Sequence, residues 1–285
     1  MKILLTGHLG QLGRAMQAAL TDHDVIGWDM PDYNIGDPVT VDQVVALAPD
    51  LVINVAAWTN VDGAEANPDM AFAANTLGPL HLAQGCARCG ADLLQISTNE
   101  VFPGEAGRFY REYDGQGAKT VYARSKQAAE TAIRQVWDQV YVVRIAWLFG
   151  PGGMNFPIKI AQAADKFGAL KVTADEFGNP TYAPDVAEAV AKLIQTKRYG
   201  NYHLVNDGYC SRFDLAKAVM ELTGRADVPM SPVSLAEWDR PASPPPHAVL
   251  VNQAGAALGI KLRPWQDALA DYVAVEAERF ARSAG

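Results

Sequence analysis

Three residues in the middle of the sequence, Thr98, Tyr122 and Lys126, have the types and the spacing needed for proton transfer. Tyr122 and Lys126 open a segment of helical character, and a separation of four residues places the phenol and the ammonium on one helix face. An ammonium close to a phenol stabilises the phenolate, so we expect the pKa of Tyr122 to lie below its usual ~10. Such a tyrosine can donate a proton to a developing alkoxide at neutral pH.

Thr98 ends an apolar run, residues 93–98, that predicts a buried strand. In an open α/β sheet the functional side chains lie at the carboxyl ends of the strands. We therefore expect the hydroxyl of Thr98 close to Tyr122 and Lys126. Residues 99–120 are polar and contain several glycines, which is typical of a loop that covers a site.

A strand, a glycine turn and a helix-forming segment open the chain, and together they predict a dinucleotide-binding site. Residues 2–6 are apolar, glycines follow at positions 7, 10 and 13, and residues 14–20 favour a helix. The spacing differs by one residue from the commonest Rossmann form, and a purely structural turn is the alternative. The cofactor contacts predicted here are Gly7, Gly10, Gln11, Leu12 and Gly13.

Asp29 ends the second predicted strand, residues 25–28. A carboxylate at this position accepts hydrogen bonds from the adenosine ribose hydroxyls and repels a 2′-phosphate. The next Arg or Lys along the chain is Arg88, so the local charge favours NADH over NADPH. A turn residue before Pro31 is the alternative interpretation of Asp29.

The third predicted strand, residues 50–57, ends in Ala56 and Ala57. Small residues suit a backbone that passes close to a cofactor, so both are assigned to the cofactor site. A long helix is then expected over residues 69–89. It contains Asn75, for which a role in positioning the site and a plain place on the helix face both remain open.

Strands and helices alternate regularly to residue 150, which predicts an α/β fold with a doubly wound parallel Rossmann sheet. After a glycine-rich joint we expect a smaller, interleaved C-terminal substrate lobe. Residues 1–150 are assigned to the dinucleotide-binding domain and 151–285 mostly to the substrate-binding lobe, with about 181–205 returning to the Rossmann domain. The elements expected after the joint are helices ending at 167 and covering 184–195, 212–222 and 265–281, strands at 171–173 and 201–205, and an irregular proline-rich segment at 237–247.

The composition excludes several classes of partner. A net charge of −8 over 285 residues argues against nucleic acid or an anionic membrane surface as the main partner. No apolar run reaches the ~20 residues of a transmembrane helix, and the first residues enter a strand instead of a leader peptide. Cys86 and Cys89 are interpreted as small buried residues, although a redox or metal pair is the alternative. We expect a cytoplasmic protein without a membrane partner.

Several motifs stand in an order that resembles the extended short-chain dehydrogenase/reductases, and within them the dTDP-4-dehydrorhamnose reductase family. They extend from the first strand to about residue 205 and are specific as a set. The motifs are Thr6-Gly7-x-x-Gly10-x-x-Gly13, Asn54-x-Ala56-Ala57-x-Thr59-x-x-Asp62-x-Ala64-Glu65, Ile96-Ser97-Thr98 with Val101-Phe102, Tyr122-x-x-x-Lys126, Arg144-x-x-Trp147, Asn155-Phe156, Gly178-x-Pro180-Thr181 and Gly200-x-Tyr202-His203-Leu204.

This resemblance implies an enzyme that reduces the 4-keto group of a dTDP-4-dehydro-6-deoxyhexose by hydride transfer from NADPH or NADH. Tyr122 is then the general acid. Lys126 binds the nicotinamide ribose and tunes the tyrosine, and Thr98 hydrogen-bonds the keto oxygen of the substrate.

The sequence departs from the family pattern at four places. Asn99-Glu100 stands where the family often has Asp-Tyr, so the substrate contact expected at Glu100 is unlike that of the family. The proline-rich segment lacks the arginine of a sugar-nucleotide loop, and Arg240 is the candidate replacement. Ala15 occupies the place of a first-helix carboxylate that bridges some dimers through a metal, so we expect no metal and either a monomer or a metal-independent homodimer. Ala123 replaces a frequent glycine.

The nucleotide-sugar substrate must extend from Thr98 and Tyr122 toward the second lobe. Its candidate contacts there are Trp147 for the sugar, Asn155 for the diphosphate and Arg240 as the remaining cation. A core position for Trp147, a helix N-cap for Asn155 and a solvated position for Arg240 are the alternatives.

Two other functions remain open from the sequence. A related nucleotide-sugar epimerase or dehydratase is one, because Glu100 places a carboxylate beside Thr98. A non-catalytic, dinucleotide-binding regulatory subunit is the other, because the proline-rich loop is altered, although intact Thr98, Tyr122 and Lys126 favour an enzyme.

Overall fold

The computed structural model describes residues 1–237 and 240–282. The strands in this part of the chain alternate with helices through its first half and are short in its second half. They are β1 (Lys2–Thr6), β2 (Asp24–Trp28), β3 (Leu51–Asn54), β4 (Asp92–Thr98), β5 (Phe109–Tyr110), β6 (Val140–Ile145), β7 (Leu148–Phe149), β8 (Leu170–Thr173), β9 (Phe177–Gly178), β10 (Thr181–Tyr182), β11 (Gly200–His203), β12 (Cys210–Ser211), β13 (Met230–Val233) and β14 (Val249–Leu250).

The helices range from a single turn to four turns. They are α1 (Gln11–Ala19), α2 (Thr40–Leu47), α3 (Val61–Ala66), α4 (Pro68–Phe72), α5 (Gly78–Cys89), α6 (Val121–Val136), α7 (Phe156–Phe167), α8 (Ala183–Ile194), α9 (Arg212–Leu222), α10 (Ala254–Ala257), α11 (Trp265–Val275) and α12 (Ala277–Phe280). A π-helical turn covers Ala73–Leu77, and 3₁₀ turns cover Asn99–Val101 and Leu235–Glu237. Within the described ranges, none of these helices combines the length and the apolar character needed to cross a membrane.

Six strands form one parallel sheet in the order β11-β6-β4-β3-β1-β2. This arrangement confirms the predicted doubly wound parallel sheet. β1 pairs with β2 on one side and with β3 on the other, so the strand order reverses between β1 and β3. Sheets of this kind bind ligands in the crevice outside the carboxyl ends of the strands at such a reversal.

Alternate side chains of the strands enter two cores, one on each face of the sheet. Ile3 and Leu5 of β1 pack with Met16 of α1 and with α8, whereas Leu4 packs with Leu82 of α5 and with α2. This alternation is the period of two that a strand imposes. Because both faces are covered by helices, the strands are mostly apolar, which is why they could be recognised from the sequence.

A further core lies away from the central sheet, where α7, α9 and α11 pack together. Its buried side chains include Phe149, Ile158, Leu215 and Tyr272. The two-stranded pairs β7–β10, β8–β13 and β9–β12 surround this core. The chain leaves it through α8 and β11 to complete the central sheet, and again at Ile260 and Leu262, which pack in the same core as α8.

Side-chain caps fix the starts of two helices near the cavity described below. The hydroxyl of Thr120 accepts the N–H of Ala123 at 3.1 Å at the start of α6. Ser211 and Asp214 form a reciprocal capping box at the start of α9. A cap of this kind is worth ~0.5–2 kcal/mol. As a result, Tyr122 lies in the first turn of α6.

The structure differs from the sequence-based prediction in several elements. Residues 61–66, for which no helix was predicted, form α3, because Asn60 caps it by accepting the N–H of Gly63. The helix predicted over 69–89 is interrupted by the π turn Ala73–Leu77, and the closing helix ends at Val275 before α12. β5 lies inside the predicted loop and pairs with β14, a contact between distant segments that a local pattern does not reveal.

Candidate active site

A cavity of about 1050 Å³ opens at the carboxyl ends of β1, β3 and β4, where the strand order reverses. Typical small-molecule sites measure ~300–1,000 Å³, so this cavity is large enough for an elongated ligand. Every site residue predicted from the sequence lines it, with the exception of Arg240. The lining set includes Gly7, Gly10, Gln11, Leu12, Gly13, Asp29, Ala56, Ala57, Thr98, Glu100, Tyr122, Lys126, Trp147 and Asn155.

The glycine turn packs backbone against backbone at the end of β3. Gly7 has a left-handed φ of 72°, and a Cβ at this position would lie 2.7 Å from the backbone nitrogen of Ala56. A Cβ at Gly13 would lie 2.2 Å from the carbonyl oxygen of Gly7. At Gly10 the nearest atom to a Cβ is that same oxygen, at 3.3 Å, so the space beside Gly10 is open toward the cavity.

We expect Gly13→Ala to lower stability, and Gly10→Ala to weaken dinucleotide binding with little effect on stability. The Cβ of Gly13→Ala collides with backbone that cannot move freely, so the free energy of unfolding should fall by ~1–3 kcal/mol. Gly10→Ala should leave thermal unfolding nearly unchanged and weaken dinucleotide binding, because its Cβ enters the open space. Thermal denaturation and a dinucleotide titration of both variants measure this. Equal destabilisation by the two substitutions would contradict the packing argument.

The residues around the turn fit a dinucleotide. Gly10 is the N-cap of α1 and has no side chain to bond the first N–H groups of that helix. Unpaired N–H groups at a helix N-terminus attract an anion such as a pyrophosphate. The open space beside Gly10 allows the approach.

Asp29 holds the glycine turn in place in addition to lining the cavity. Its Oδ2 atom accepts the N–H of Leu9 at 2.9 Å, and its Oδ1 atom accepts the N–H of Met30 at 2.9 Å. The imidazole Nδ1 of His8 lies 3.9 Å from Oδ2. Both carboxylate oxygens therefore have backbone donors, a structural task that the sequence pattern did not indicate.

A buried chain of polar side chains links the strands beneath the cavity. The hydroxyl of Thr6 donates to Asn54 Oδ1 at 2.5 Å, and Asn54 Nδ2 donates to Gln95 Oε1 at 2.7 Å. Asn54 Oδ1 also accepts the N–H of Ala56 at 3.1 Å. These bonds fix the backbone of Ala56 against the glycine turn.

Asn75 is fully buried in the π turn and connects two parts of the cavity wall. Its Oδ1 atom accepts the N–H of Trp58 at 2.8 Å, and its Nδ2 atom donates to the Trp58 carbonyl at 3.0 Å. Nδ2 also donates to Ser125 Oγ at 3.0 Å. Because Ser125 lies in α6 between Tyr122 and Lys126, Asn75 positions the helix that carries them.

Thr98, Tyr122 and Lys126 converge at the end of β4. Thr98 is the last residue of that strand, and its hydroxyl, which donates to Asn99 Oδ1 at 3.3 Å, lines the same cavity as Tyr122. The Nζ atom of Lys126 is buried and donates to the carbonyl of Ile96 at 2.7 Å. The structure thus brings together the three residues that were predicted to take part in proton transfer.

The electrostatics of this group differ from the sequence-based expectation. Burial raises the pKa of Tyr122 above its ordinary value, and the charge of Glu100 adds to the rise, while the hydroxyl of Thr98 opposes it. Burial also lowers the pKa of Lys126 to about 8, against the opposing charge of Glu130. The expectation that the pKa of Tyr122 lies below its usual value was therefore wrong for this arrangement, because burial raises it.

A buried ion pair supports β4 and α6 from below. Arg144 Nη2 lies 2.7 Å from Glu130 Oε2, and both side chains are 2% exposed. Glu130 Oε1 accepts the hydroxyl of Ser97 at 2.5 Å. His203 accepts from Arg144 through Nε2, and burial together with Arg144 lowers the pKa of His203 to about 3. Since Ser97 precedes Thr98, this network fixes the end of β4.

Trp147 and Arg212 line the cavity on the side of the core formed by α7, α9 and α11. The Arg212 guanidinium carbon lies 3.6 Å from the centre of the Trp147 ring. Arg212 Nε donates to Glu176 at 3.1 Å, and its two terminal nitrogens have no hydrogen bond to the described residues. Arg212 was not among the predicted site residues. A helix was predicted over residues 212–222, but nothing in that pattern indicated which way the Arg212 side chain faces.

Asn155 caps α7 and joins three segments. Its Oδ1 atom accepts the N–H of Ile158 at 3.4 Å. Its Nδ2 atom is within hydrogen-bond distance of Gln11 Oε1, the Gly150 carbonyl and the Tyr272 hydroxyl, at 2.8, 2.9 and 2.9 Å. The N-cap alternative therefore describes what this side chain does in the structure, although it also lines the cavity.

Arg240 has a partner that the sequence analysis did not anticipate. It forms a bidentate pair with Asp62, with Nε–Oδ1 at 2.9 Å and Nη2–Oδ2 at 3.2 Å. The N–H of Ala242 donates to the same carboxylate at 3.2 Å. These bonds anchor the proline-rich segment to α3, outside the lining of the cavity. Trp238 and Asp239, which belong to the predicted irregular segment 237–247, lie outside the described residues.

Metal-ligating side chains do not cluster in the described ranges. Within residues 1–237 and 240–282, His, Cys, Asp and Glu form no group of three or more that could hold a metal ion. Cys86 is buried, and burial raises the pKa of its thiol. Its Sγ atom donates to the carbonyl of Asp92 at 3.8 Å.

Comparison with known proteins extends the similarity over nearly the whole chain. Residues 1–277 match the model of the family described as the RmlD substrate binding domain. A dTDP-4-dehydrorhamnose reductase of Mycobacterium tuberculosis is 38% identical over 285 residues, which covers 97% of this chain and 93% of that protein.

Two solved structures have the same fold at similar levels of identity. A dTDP-4-dehydrorhamnose reductase of Clostridium acetobutylicum superposes with a TM-score of 0.92 at 36% identity, covering 96% of this chain and 99% of that one. The Bacillus anthracis dTDP-4-dehydrorhamnose reductase, solved in complex with NADP, gives a TM-score of 0.92 at 31% identity, covering 96% of this chain and 100% of that one.

Proposed function

We propose, from the premise that this chain belongs to the RmlD substrate binding domain family, that it reduces the 4-keto group of a dTDP-4-dehydro-6-deoxyhexose with NADPH or NADH. The observation that carries this proposal is the convergence of Thr98, Tyr122 and Lys126 in the same cavity as the glycine turn. The relatives named dTDP-4-dehydrorhamnose reductase, one of them solved with NADP, support it.

The side chains have separate tasks in this reaction. The glycine turn and Lys126 would hold the dinucleotide, which would supply the hydride for reduction of the sugar carbonyl. Tyr122 donates its phenolic proton to the carbonyl oxygen as the alkoxide forms. The raised pKa of Tyr122 keeps that proton in place at neutral pH until it is needed. Thr98 bonds the phenol and the keto oxygen, which orients both for the transfer.

In this proposal the nucleotide of the substrate extends toward the core formed by α7, α9 and α11. Residues 1–150 and about 181–205 hold the dinucleotide, and the rest of residues 151–285 form most of the substrate lobe. Trp147 contacts the sugar, and Arg212, with its free terminal nitrogens, binds the diphosphate. The enzyme acts in the cytoplasm as a monomer or a metal-independent homodimer.

A panel of dTDP-4-dehydro-6-deoxyhexoses, assayed for oxidation of NADPH and NADH, tests the proposed function. At least one sugar should give turnover and a product reduced at C4, identified by NMR. Dinucleotide binding without turnover of any sugar in the panel would instead indicate a non-catalytic subunit.

Cofactor choice provides a second expected result. The Asp29 carboxylate carries negative charge at the ribose end of the cavity, so we expect NADH to be used at least as well as NADPH. The ratio of kcat/KM for the two cofactors measures this. A preference for NADPH above about tenfold, or ~1.4 kcal/mol, would mean that another residue neutralises a 2′-phosphate.

The lowered pKa of Lys126 predicts a loss of activity at alkaline pH. The ammonium is charged below its pKa of about 8 and neutral above it. If the charge is required, kcat/KM should be level up to that pH and then fall about tenfold per pH unit, as it does when one essential group deprotonates. Lys126→Arg keeps its charge throughout this range, so its slower reaction should lack the alkaline decline. A decline of the same position in both proteins would assign it to a different group.

A further inference from the structure

Glu100 brings an ionisable carboxyl group to the reactive end of the cavity. It lies two residues after Thr98, in the 3₁₀ turn Asn99–Val101, and lines the same cavity as Tyr122. Its N–H donates to Thr98 Oγ1 at 3.2 Å, so the turn is fixed to the threonine. The charge of Glu100 also raises the pKa of Tyr122.

The carboxyl group of Glu100 is only partly satisfied. The hydroxyl of Thr120, the N-cap of α6, donates to it. Its Oε2 atom is shielded from solvent and has no hydrogen-bond partner among the described residues. A polar atom buried in this way costs free energy and calls for an explanation, of which a catalytic role is one. The bond from Thr120 needs one oxygen and leaves the other for a ligand in the cavity.

The surrounding charges adjust the affinity of this group for a proton. Burial and then Glu176 raise the pKa of Glu100 to about 7, against the opposing effects of Arg212 and Arg240. At neutral pH the group is therefore present in both its acid and its base form. A group with this property can remove a proton and return it.

We propose, relying on the reductase function above, that Glu100 is a further catalytic residue that exchanges the proton on a carbon next to the keto group of the sugar, C3 or C5. A ketone held by Thr98 and Tyr122 has acidic protons on both of these carbons. Without hydride transfer, the enzyme then exchanges such a proton with solvent.

The exchange step is balanced without an oxidant or a reductant. A carboxylate oxygen of Glu100 forms an O–H bond to the proton, and the electrons of the broken C–H bond form a carbon–carbon double bond. The electrons of the carbonyl double bond move to its oxygen, where the hydroxyls of Thr98 and Tyr122 stabilise the enolate. Glu100, after exchange with water, returns a proton to the carbon and the ketone is restored.

Deuterium incorporation provides the test. dTDP-4-dehydrorhamnose is incubated with the protein in D₂O without a reduced dinucleotide, and mass spectrometry and NMR then quantify deuterium at C3 and C5. We expect incorporation at one of these carbons well above the rate without protein. Glu100→Gln keeps the shape but cannot act as a base, so it should slow incorporation by ~10²-fold or more.

Ketone reduction with NADPH and NADH is measured on the same preparations. Glu100→Gln should slow reduction by much less than it slows exchange, because Tyr122 supplies the proton for reduction. Glu105→Gln is the matched control, since Glu105 is an exposed carboxylate in the following loop that bonds Arg108. It should change neither rate. Thermal denaturation establishes that each variant is folded.

The outcomes separate this proposal from the proposed function. Reduction by the native protein without exchange above the rate in buffer would overturn the role of Glu100 and leave the reductase intact. Equal exchange by the native protein and a folded Glu100→Gln would also overturn it. Loss of both reduction and exchange for every sugar in the panel would overturn the two proposals together.

Discussion

Tyr122→Phe should lower the rate of ketone reduction by ~10²- to 10⁴-fold, the usual contribution of general acid catalysis. The phenylalanine ring fills the same space in the first turn of α6 but has no proton to give to the forming alkoxide. Binding of NADPH and NADH should be almost unchanged, because the glycine turn and Lys126 are intact. Single-turnover reduction at saturating substrate measures the loss separately from any change in affinity.

Tyr113→Phe is the matched control for this substitution. Its side chain is 72% exposed and lies outside the lining of the cavity, so it should have no effect on the rate. If Tyr122→Phe retained near-full reduction while still binding the sugar, Tyr122 would have to be removed from the mechanism.

Arg212→Ala should raise the KM for the nucleotide sugar by roughly tenfold to a hundredfold, since a charge-assisted hydrogen bond is worth ~1.5–3 kcal/mol. The loss follows from the guanidinium of Arg212, a residue that lines the cavity beside Trp147. The affinity for NADH should not change. Because the substitution also leaves Glu176 without its partner, thermal denaturation must accompany the kinetics. Arg212→Lys, which retains the charge, should recover part of the loss.

Arg240→Ala distinguishes this assignment from the one made from the sequence. It removes the pair with Asp62 on the outside of α3, and such a partly exposed pair is worth at most ~1 kcal/mol. We therefore expect a smaller rise in KM than for Arg212→Ala. A larger rise in KM for Arg240→Ala would show that the proline-rich segment contacts the substrate. Arg240 would then be the cation that binds the nucleotide sugar, as the sequence suggested.

The predictable part of the site is encoded by local spacing. The glycine turn, and Tyr122 with Lys126, are each defined by neighbours within a few residues, so the periods of the strand and the helix place them correctly. Thr98 followed from the end of an apolar strand. The parallel sheet followed from the regular alternation of elements.

The unpredicted part depends on contacts between distant segments and on burial. Arg212 reaches the cavity only because α9 packs beside Trp147, and Arg240 is drawn away from it by Asp62. The pKa of Tyr122 rises because the structure excludes solvent from the phenol, and a sequence does not state how much solvent reaches a side chain. Residue types alone could therefore give the chemistry of the group but not its electrostatics.

The two backbone bonds accepted by Asp29 have a consequence for redesigning coenzyme selectivity. An engineer who wants a strictly NADPH-dependent variant would replace this aspartate with a neutral or cationic residue. That replacement would also release the N–H groups of Leu9 and Met30, on which the shape of the glycine turn depends. A change of coenzyme therefore requires a second substitution that restores an acceptor for the N–H of Leu9. Coenzyme selectivity thus depends on at least two positions, and replacing Asp29 alone is a poor starting point.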